Sequence, residues 1–453
     1  MCAMTELGHT YRYLHASNVA PGPRPVLALA TTDSTGTSHP HFFEGELLRP
    51  RLAAQLLTAL HLVVGARFFT PPNTVARSSR LADPVVTAGG GTLRFEAFST
   101  CGSTYARLDL LPDAYRAELA GHGTTNVDFN APMRVALARL READGLGLSI
   151  GGDQLTLHSG GQAVTERKVA LPTRWLRGFI EVQAWQARMR RVLALPSPEV
   201  VRALRALPRG STHRTPLWLL RGPRGLHTTT QPSEDAVRIT EVQRLRVLEP
   251  LLPQARSVSV FADPAQQASA WVLDYGDARF TLALSAEVWR GFSGEGQALR
   301  TLMRLSASGE SGLAALRAQL HWQSRLDTSI LAHALGWNAE AVADGLRLLG
   351  ASGLVGFDVH DASHFHRVLP FDLSLVEDLH PRLADAHALL AAGAVAVHAR
   401  QPFDASVTTD GAVHRVREVD GELQCTCPWF AKHRDLRGPC KHLLAAEASR
   451  PTE

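Results

Sequence analysis

The chain has 453 residues, 45% of them hydrophobic, 20% charged and 6% aromatic. That leaves room for two to four domains and is too apolar for a largely disordered protein. Lys and Arg number 47 against 43 Asp and Glu, for a formal net charge of +4; an excess spread this thinly excludes a histone-like or polybasic nucleic-acid protein. Five cysteines exclude a disulfide scaffold.

In chain order, the first clear element is a helix. Pro50 suits its first turn, Leu52, Leu56, Leu60 and Val63 form one stripe, and Gly65 can end it. The apolar run from Leu52 to Val64 is broken by Gln55, Thr58 and His61 and is too short to span a bilayer. No basic stretch followed by an apolar one opens the chain, so the expectation is a cytoplasmic protein without membrane contact. Strands are expected at Thr92 to Ser99, with Leu93, Phe95 and Ala97 on one face, and at Thr104 to Leu110. Gly121 to Asn130 reads as polar and turn-rich, and a helix is expected from Pro132 to Glu142. From Gly145 the pattern becomes strand–turn–strand, Leu146 to Ile150 and Gln154 to His158. Thr173 reads as the cap of a helix carrying Trp175, Phe179, Val182 and Met189 on one side. Pro196, Pro198 and Pro208 cut the chain into short elements, and strands resume at Leu217 to Leu220, Val258 to Ala262, Ala270 to Asp274 and Phe280 to Leu284.

Residues 311–370 read as helix, helix–turn–helix and β-wing, the order of a winged helix. Asp327 caps Thr328 to Leu335, Gly336 makes the turn, and Asn338 caps a helix with Val342, Leu346 and Leu349 facing inward. The wing strands are Leu354 to Val359 and Phe365 to Leu369. A further helix, Pro381 to Ala392, ends at Gly393. The expected fold class is thus α/β (α+β) and multidomain: an N-terminal α/β domain (1–143), a central α/β domain (144–304), a winged-helix-like domain (305–375), and a helix with a small ββα zinc module (376–453).

That module carries the chemistry. Cys425-Thr-Cys427-Pro is followed twelve residues later by Cys440-Lys-His442. Three thiolates and one imidazole complete a tetrahedral zinc shell with no position left for water, so one structural Zn²⁺ is expected. Asp420-Gly421 between Ala412 to Val419 and Glu422 to Cys427 is a hairpin signal. Residues two apart on a strand point the same way, so Cys425 and Cys427 can reach one ion. Cys440 and His442 open a helix, whose dipole favours thiolate.

The CxCx12CxH pattern, with its CTCP start and CKHLLA end, resembles the SWIM-type zinc finger over roughly residues 395–445. The whole chain also resembles bacterial SWIM zinc-finger proteins through Phe43-Glu-Gly with Arg49-Pro-Arg, Gly123-Thr-Thr-Asn-Val-Asp-Phe-Asn130, and Gly291-Phe-Ser-Gly-Glu-Gly296. The resemblance implies a module that binds nucleic acid or protein, and an adaptor role beside MoxR-type AAA+ ATPases and von Willebrand A proteins. Between the ligands, Lys432, Arg434, Arg437 and Lys441 outnumber Asp435, with Trp429 and Phe430 beside them. The combination suits phosphates and exposed bases, but equally a small aromatic core whose cations balance the charge of a three-thiolate zinc site. Trp429, Lys432, Arg434, Arg437 and Lys441 are therefore candidate contacts to DNA, RNA or a protein partner.

Other constellations are less complete. Glu340 and Asp344 against Arg347 on the second helix, and Asp358 and Asp361 against Arg367 on the wing, disfavour a DNA groove and favour protein contact or scaffolding. His39-Pro-His41 lacks a second ligand set, and His360, Asp361, His364 and His366 read as a polar loop. Cys101 has no assignable base, and Asn126, Asp128 and Asn130 offer one carboxylate to a cation. The glycine turns Gly89–Gly91 and Gly294–Gly296 lack the Lys-Ser/Thr ending of a phosphate loop. The reading is a non-enzymatic zinc-binding protein whose finger contacts nucleic acid or protein. The alternatives are an adaptor of an AAA+ assembly and an enzyme with an N-terminal site.

Overall fold

The structure, a computed structural model, describes residues 18–20, 26–28, 41–69, 84–126, 131–141, 145–152, 154–159, 162–167, 171, 173–208, 216–223, 225–239, 241–308, 313–369 and 380–450. Its centre is an eight-stranded antiparallel sheet. In spatial order the strands are Arg190–Pro196, Ser257–Ala262, Ser269–Asp274, Ala278–Leu284, Thr104–Leu110, Thr92–Phe98, Val85–Gly89 and Gly123–Asn126. Ala278–Leu284 pairs with Thr104–Leu110, so one continuous ladder joins residues on either side of the expected 143/144 boundary. Gly123–Asn126, where the sequence suggests turns, is an edge strand on Val85–Gly89. Asp128 and Asn130 lie outside the described residues.

A five-stranded sheet, in the order Gln162–Arg167, Gln154–Ser159, Gly147–Ile150, Phe43–Leu47 and Tyr115–Ala120, accompanies the central one. The expected helix is present as Pro50–Gly65, with Leu56, Leu57, Leu60 and Val63 fully buried. The helix Thr173–Gln186 brings Trp175, Phe179 and Val182 into the same core; Met189 lies beyond its end. Phe98 meets Trp175, Phe179 and Phe292 there in edge-on contacts with centroids 5.6, 5.1 and 6.2 Å apart.

Alternation places Leu93, Phe95 and Ala97 on one face of their strand and Ala106, Leu108 and Leu110 on the same face of the next. The opposite face carries Arg94, Glu96, Tyr105, Arg107 and Asp109, an arrangement that ordinarily looks at water. Here every one of these is buried. The cover is the hairpin of Val355–Asp358 and Ser363–His366.

The hairpin closes a helical unit that follows the expected order. Asp327 accepts from the backbone N–H of Ser329 and Ile330 to cap Thr328–Leu335. Gly336 turns with φ of 66°, and Asn338 accepts from the Ala341 N–H to cap Ala339–Ala351. Val342, Leu346 and Leu349 face inward, as their spacing predicts. On the exposed side Asp344 pairs with Arg304 and Arg347 at 2.7 and 2.8 Å.

The hairpin's charges, expected to favour protein contact or scaffolding, meet the sheet, with Asp358 and Arg367 buried and Asp361 half-buried. Asp358, 1% exposed, forms an ion pair with Arg107 at 2.8 Å, while Arg107 and Arg94 pair with Asp109 at 2.9 and 3.1 Å. Arg279 pairs with Asp361 at 2.8 Å, and Arg367 donates to Glu96, which also accepts from Tyr105 at 2.7 Å. Phe365 lies under the Arg94 guanidinium at 4.0 Å. Burial pushes the Asp358 carboxyl up, but Arg107, Arg94 and Arg279 outweigh it and hold it well below the usual carboxylate range. The Asp358 carboxylate also caps the hairpin turn, accepting from the His360 N–H at 2.9 Å.

Docking requires close backbone approach. A Cβ on Gly89 would overlap the Trp322 carbonyl, and one on Gly90 would press on the Ser324 backbone at 2.5 Å. Trp322 stacks between His122 and His366. The glycine turn is a packing device.

Replacing Asp358 by Ala should leave the buried Arg107 and Arg94 with Asp109 as their one shared carboxylate, a loss of about 3–5 kcal/mol. Hydrogen exchange of the amides over 355–366 should rise sharply in Asp358→Ala; protection equal to the wild type would contradict this account of the hairpin's docking.

Candidate metal centre

The C-terminal unit is a four-stranded meander, Val395–Arg400, Phe403–Thr409, Ala412–Val419 and Glu422–Cys425, followed by the short helices Pro428–His433 and Lys441–Ala448. It is larger than the expected ββα by two strands and a helix. Positive φ at Asp420 and Gly421, 52° and 78°, makes the predicted tight turn.

The register of that hairpin and the two helix starts assemble the site. Cys425 ends the last strand opposite Val416. Cys427 and Cys440 are the N-caps of the two helices, their sulfurs accepting from the N–H of Phe430 and Leu443, each at 3.4 Å. These donors stabilise thiolate. His442 follows one residue into its helix. Ligand atoms of Cys425, Cys427, Cys440 and His442 all lie within 4.8 Å of one another, and all four residues are buried. His442 Nδ1 is 4.0 Å from Cys425 Sγ. Three soft sulfurs and an imidazole in a closed, buried set fit a tetrahedral structural Zn²⁺.

Electrostatics suit the same ion. Burial, with His414 and Lys441 nearby, lowers the His442 pKa to about 4, so the imidazole is neutral and able to coordinate at pH 7. His414, from the neighbouring strand, lies against the His442 ring with centroids 4.3 Å apart; sequence reading had not singled it out. Hydrogen bonding with Cys425, then burial, then the Cys425 charge push the Cys440 thiol far above its usual range, and burial raises Cys427. Coordination must therefore displace protons from crowded thiols.

The candidate contact residues are not all on one free surface. Lys432 and Arg434 are exposed, Arg434 lying over Phe430 at 5.7 Å. Lys441 pairs with Asp385 at 3.3 Å. Trp429 is held between the guanidinium groups of Arg382 and Arg437 at 4.6 and 4.7 Å. Asp435 pairs with Arg300 at 2.6 Å.

Several of these contacts are to the body. Arg382 donates to the carbonyls of Arg437 and Pro439 at 2.9 and 3.0 Å and to that of Glu295 at 3.2 Å. It thereby clasps the knuckle just before Cys440 to the Gly291–Gly296 turn. A Cβ on Gly438 would overlap the Gly296 carbonyl, at a φ of 75° that already favours glycine. The last helix is buried on two sides: Leu443 and Ala446 join the zinc core with Phe403, Val407 and Phe430, while Leu444 and Ala445 join Leu299, Leu302, Leu383 and Ile180.

The other constellations do not converge. Among the described residues the cysteine–histidine set is the one cluster of three or more suitable ligands. Asp361 is paired with Arg279, while His366 Nδ1 accepts from the Trp322 N–H at 2.8 Å. His39 lies outside the described residues, as do Asp128 and Asn130. Cys101 contacts the hydroxyls of Ser99 and Ser103 at 3.5 and 3.1 Å. Burial alone would raise its pKa, but these hydroxyls lower it.

The geometry defines a structural zinc module docked on a larger β-rich body. Residues 414–450 match the SWIM zinc finger family, so the chain carries a SWIM zinc finger over that segment and zinc is its cofactor. No curated protein matches the chain significantly. Among solved structures it is similar to proliferating cellular nuclear antigen from Entamoeba histolytica, at 11% identity and a TM-score of 0.34, over 54% of this chain and 98% of that one. It is also similar to the DnaN sliding clamp (DNA polymerase III subunit beta) from Bartonella birtlesii bound to griselimycin, at 14% identity and a TM-score of 0.35, over 54% of this chain and 65% of that one. No described helix is long and apolar enough to cross a membrane.

Zinc affinity should rise with pH through the neutral range, because binding releases thiol protons, and acidification should free the metal. A chromogenic chelator should record one zinc per chain at neutral pH, progressive release on acidification, and almost none from Cys440→Ser at any pH.

Proposed function

We propose that the protein is a non-enzymatic zinc-binding protein whose finger contacts nucleic acid through Lys432, Arg434 and the side chains beside them. The observation that carries this reading is how the charges between the zinc ligands are used. Asp435, the one acid from Pro428 to Pro439, is engaged by Arg300 in an exposed ion pair at 2.6 Å. Lys432 and Arg434 remain exposed, with no ion pair to a described residue. A surface whose cations are left unanswered by the protein's own carboxylates is suited to phosphates.

The non-enzymatic part of the reading rests on what the titratable clusters do. The buried arginines and aspartates bind hairpin to sheet, and three of the thiols form the zinc set. The helical unit over 313–369 we read as a winged-helix-like scaffold, not a groove reader. Its hairpin is occupied by the body, and its second helix balances Arg347 against Asp344.

Measured by anisotropy of a labelled oligonucleotide across a salt series, Lys432→Gln/Arg434→Gln should keep its zinc. Removing two phosphate contacts should also flatten the log–log salt slope by about two. An unchanged affinity and slope would shift the reading to a protein partner, with the finger serving as an adaptor.

A further inference from the structure

Where the finger meets the body, tryptophans and arginines alternate. Arg382 lies over one side of Trp429 at 4.6 Å and Arg437 lies against the same indole at 4.7 Å. Arg437 is also 5.8 Å from Trp289, on the turn preceding Gly291, and Arg290 is 5.4 Å from that ring. His433 adds a ring 4.6 Å from Trp429. The inner members of this stack are half-buried, but Trp289 is 54% exposed, the one aromatic among the large exposed apolar side chains of the described residues.

An indole left half in water normally costs burial energy that a fold recovers by covering it. Trp289 is instead held at the outer end of a fixed stack, so its ring is oriented before any partner arrives. Cations gather at the same joint. Beyond burial, the groups that lower the His433 pKa are Arg437, Lys432, Arg290 and Arg382. The answering carboxylate, Glu295, is 1% exposed and already accepts from Arg290 at 2.7 Å.

We infer that Trp289 is a stacking platform for an unpaired base, and that the finger's partner is single-stranded nucleic acid lying across the junction of finger and body. The inference rests on the nucleic-acid reading above and narrows it. A flat aromatic face beside guanidinium groups matches an exposed base with its phosphates; in a duplex the base faces are already stacked on one another and unavailable. An acidic peptide would satisfy the cations but leave the indole face unused.

The test uses the full zinc-loaded chain and labelled oligothymidylate, with the oligothymidylate–oligoadenylate duplex in parallel. The single strand should bind more tightly. Trp289→Ala should weaken it on the order of tenfold, the worth of about one base–aromatic stack, without altering the salt slope, since no charge is removed. Trp289→Phe should restore most of the loss, and both variants should keep wild-type zinc content. Wild-type affinity in Trp289→Ala, with Lys432→Gln/Arg434→Gln still weakened, would overturn the platform and leave the finger reading standing. Displacement of the strand by polyglutamate as readily as by unlabelled oligothymidylate would assign the patch to an acidic protein segment. Absence of binding to either nucleic acid would overturn both readings.

Discussion

The buried charge layer between the central sheet and the 355–366 hairpin is the constraint on which the remaining architecture depends. Arg94, Glu96, Arg107 and Asp109 project from two strands at alternate positions, and none can be left in a dry interior unanswered. Asp358 and Arg367 answer them from the hairpin. Such an arrangement adds little net stability compared with an apolar interface, because each charge loses its water. It is nevertheless demanding in geometry: a hairpin displaced by one residue would turn Asp358 away from Arg107 and leave several charges stranded. The helical unit is thereby held in one orientation on the body.

Glycine turns perform the complementary task, letting backbones approach where side chains would hold them apart. Gly89 and Gly90 admit the 322–324 segment, and Gly296 and Gly438 admit each other. Both turns belong to the body, and each receives a different C-terminal unit. Short glycine runs on a β-rich scaffold can thus be docking sockets for neighbouring units as readily as ligand loops, and which applies depends on what fills the space above them.

The zinc finger shows the same dependence at a smaller scale. Its sheet and two short helices enclose too little apolar surface to be stable alone, and the metal supplies the missing cohesion. The last helix then faces two ways, to the zinc core through Leu443 and Ala446 and to the body through Leu444 and Ala445. Metal binding and docking are consequently coupled through one helix. The stack of Arg382, Trp429, Arg437 and Trp289 runs along that same joint, so the proposed contact surface exists only when finger and body are together.

What the sequence determined by itself was local. The spacing of Cys425, Cys427, Cys440 and His442 specified the metal site, because four ligands within eighteen positions have few ways to converge. Asp327, Gly336 and Asn338 specified the helix–turn–helix boundaries, because caps act over two or three residues. Tertiary structure decided the rest. Alternation placed Arg94 and Asp109 opposite the apolar face but could not say whether water or another unit covered them, since the Asp358 that pairs with Arg107 comes from about 250 residues along the chain. Nor could spacing reveal that Trp429 and Arg437 are half-buried at the joint with the body while Trp289, on a turn outside the finger, stays open. Those outcomes depend on which surfaces meet, and contacts between residues distant in sequence leave no periodicity to read.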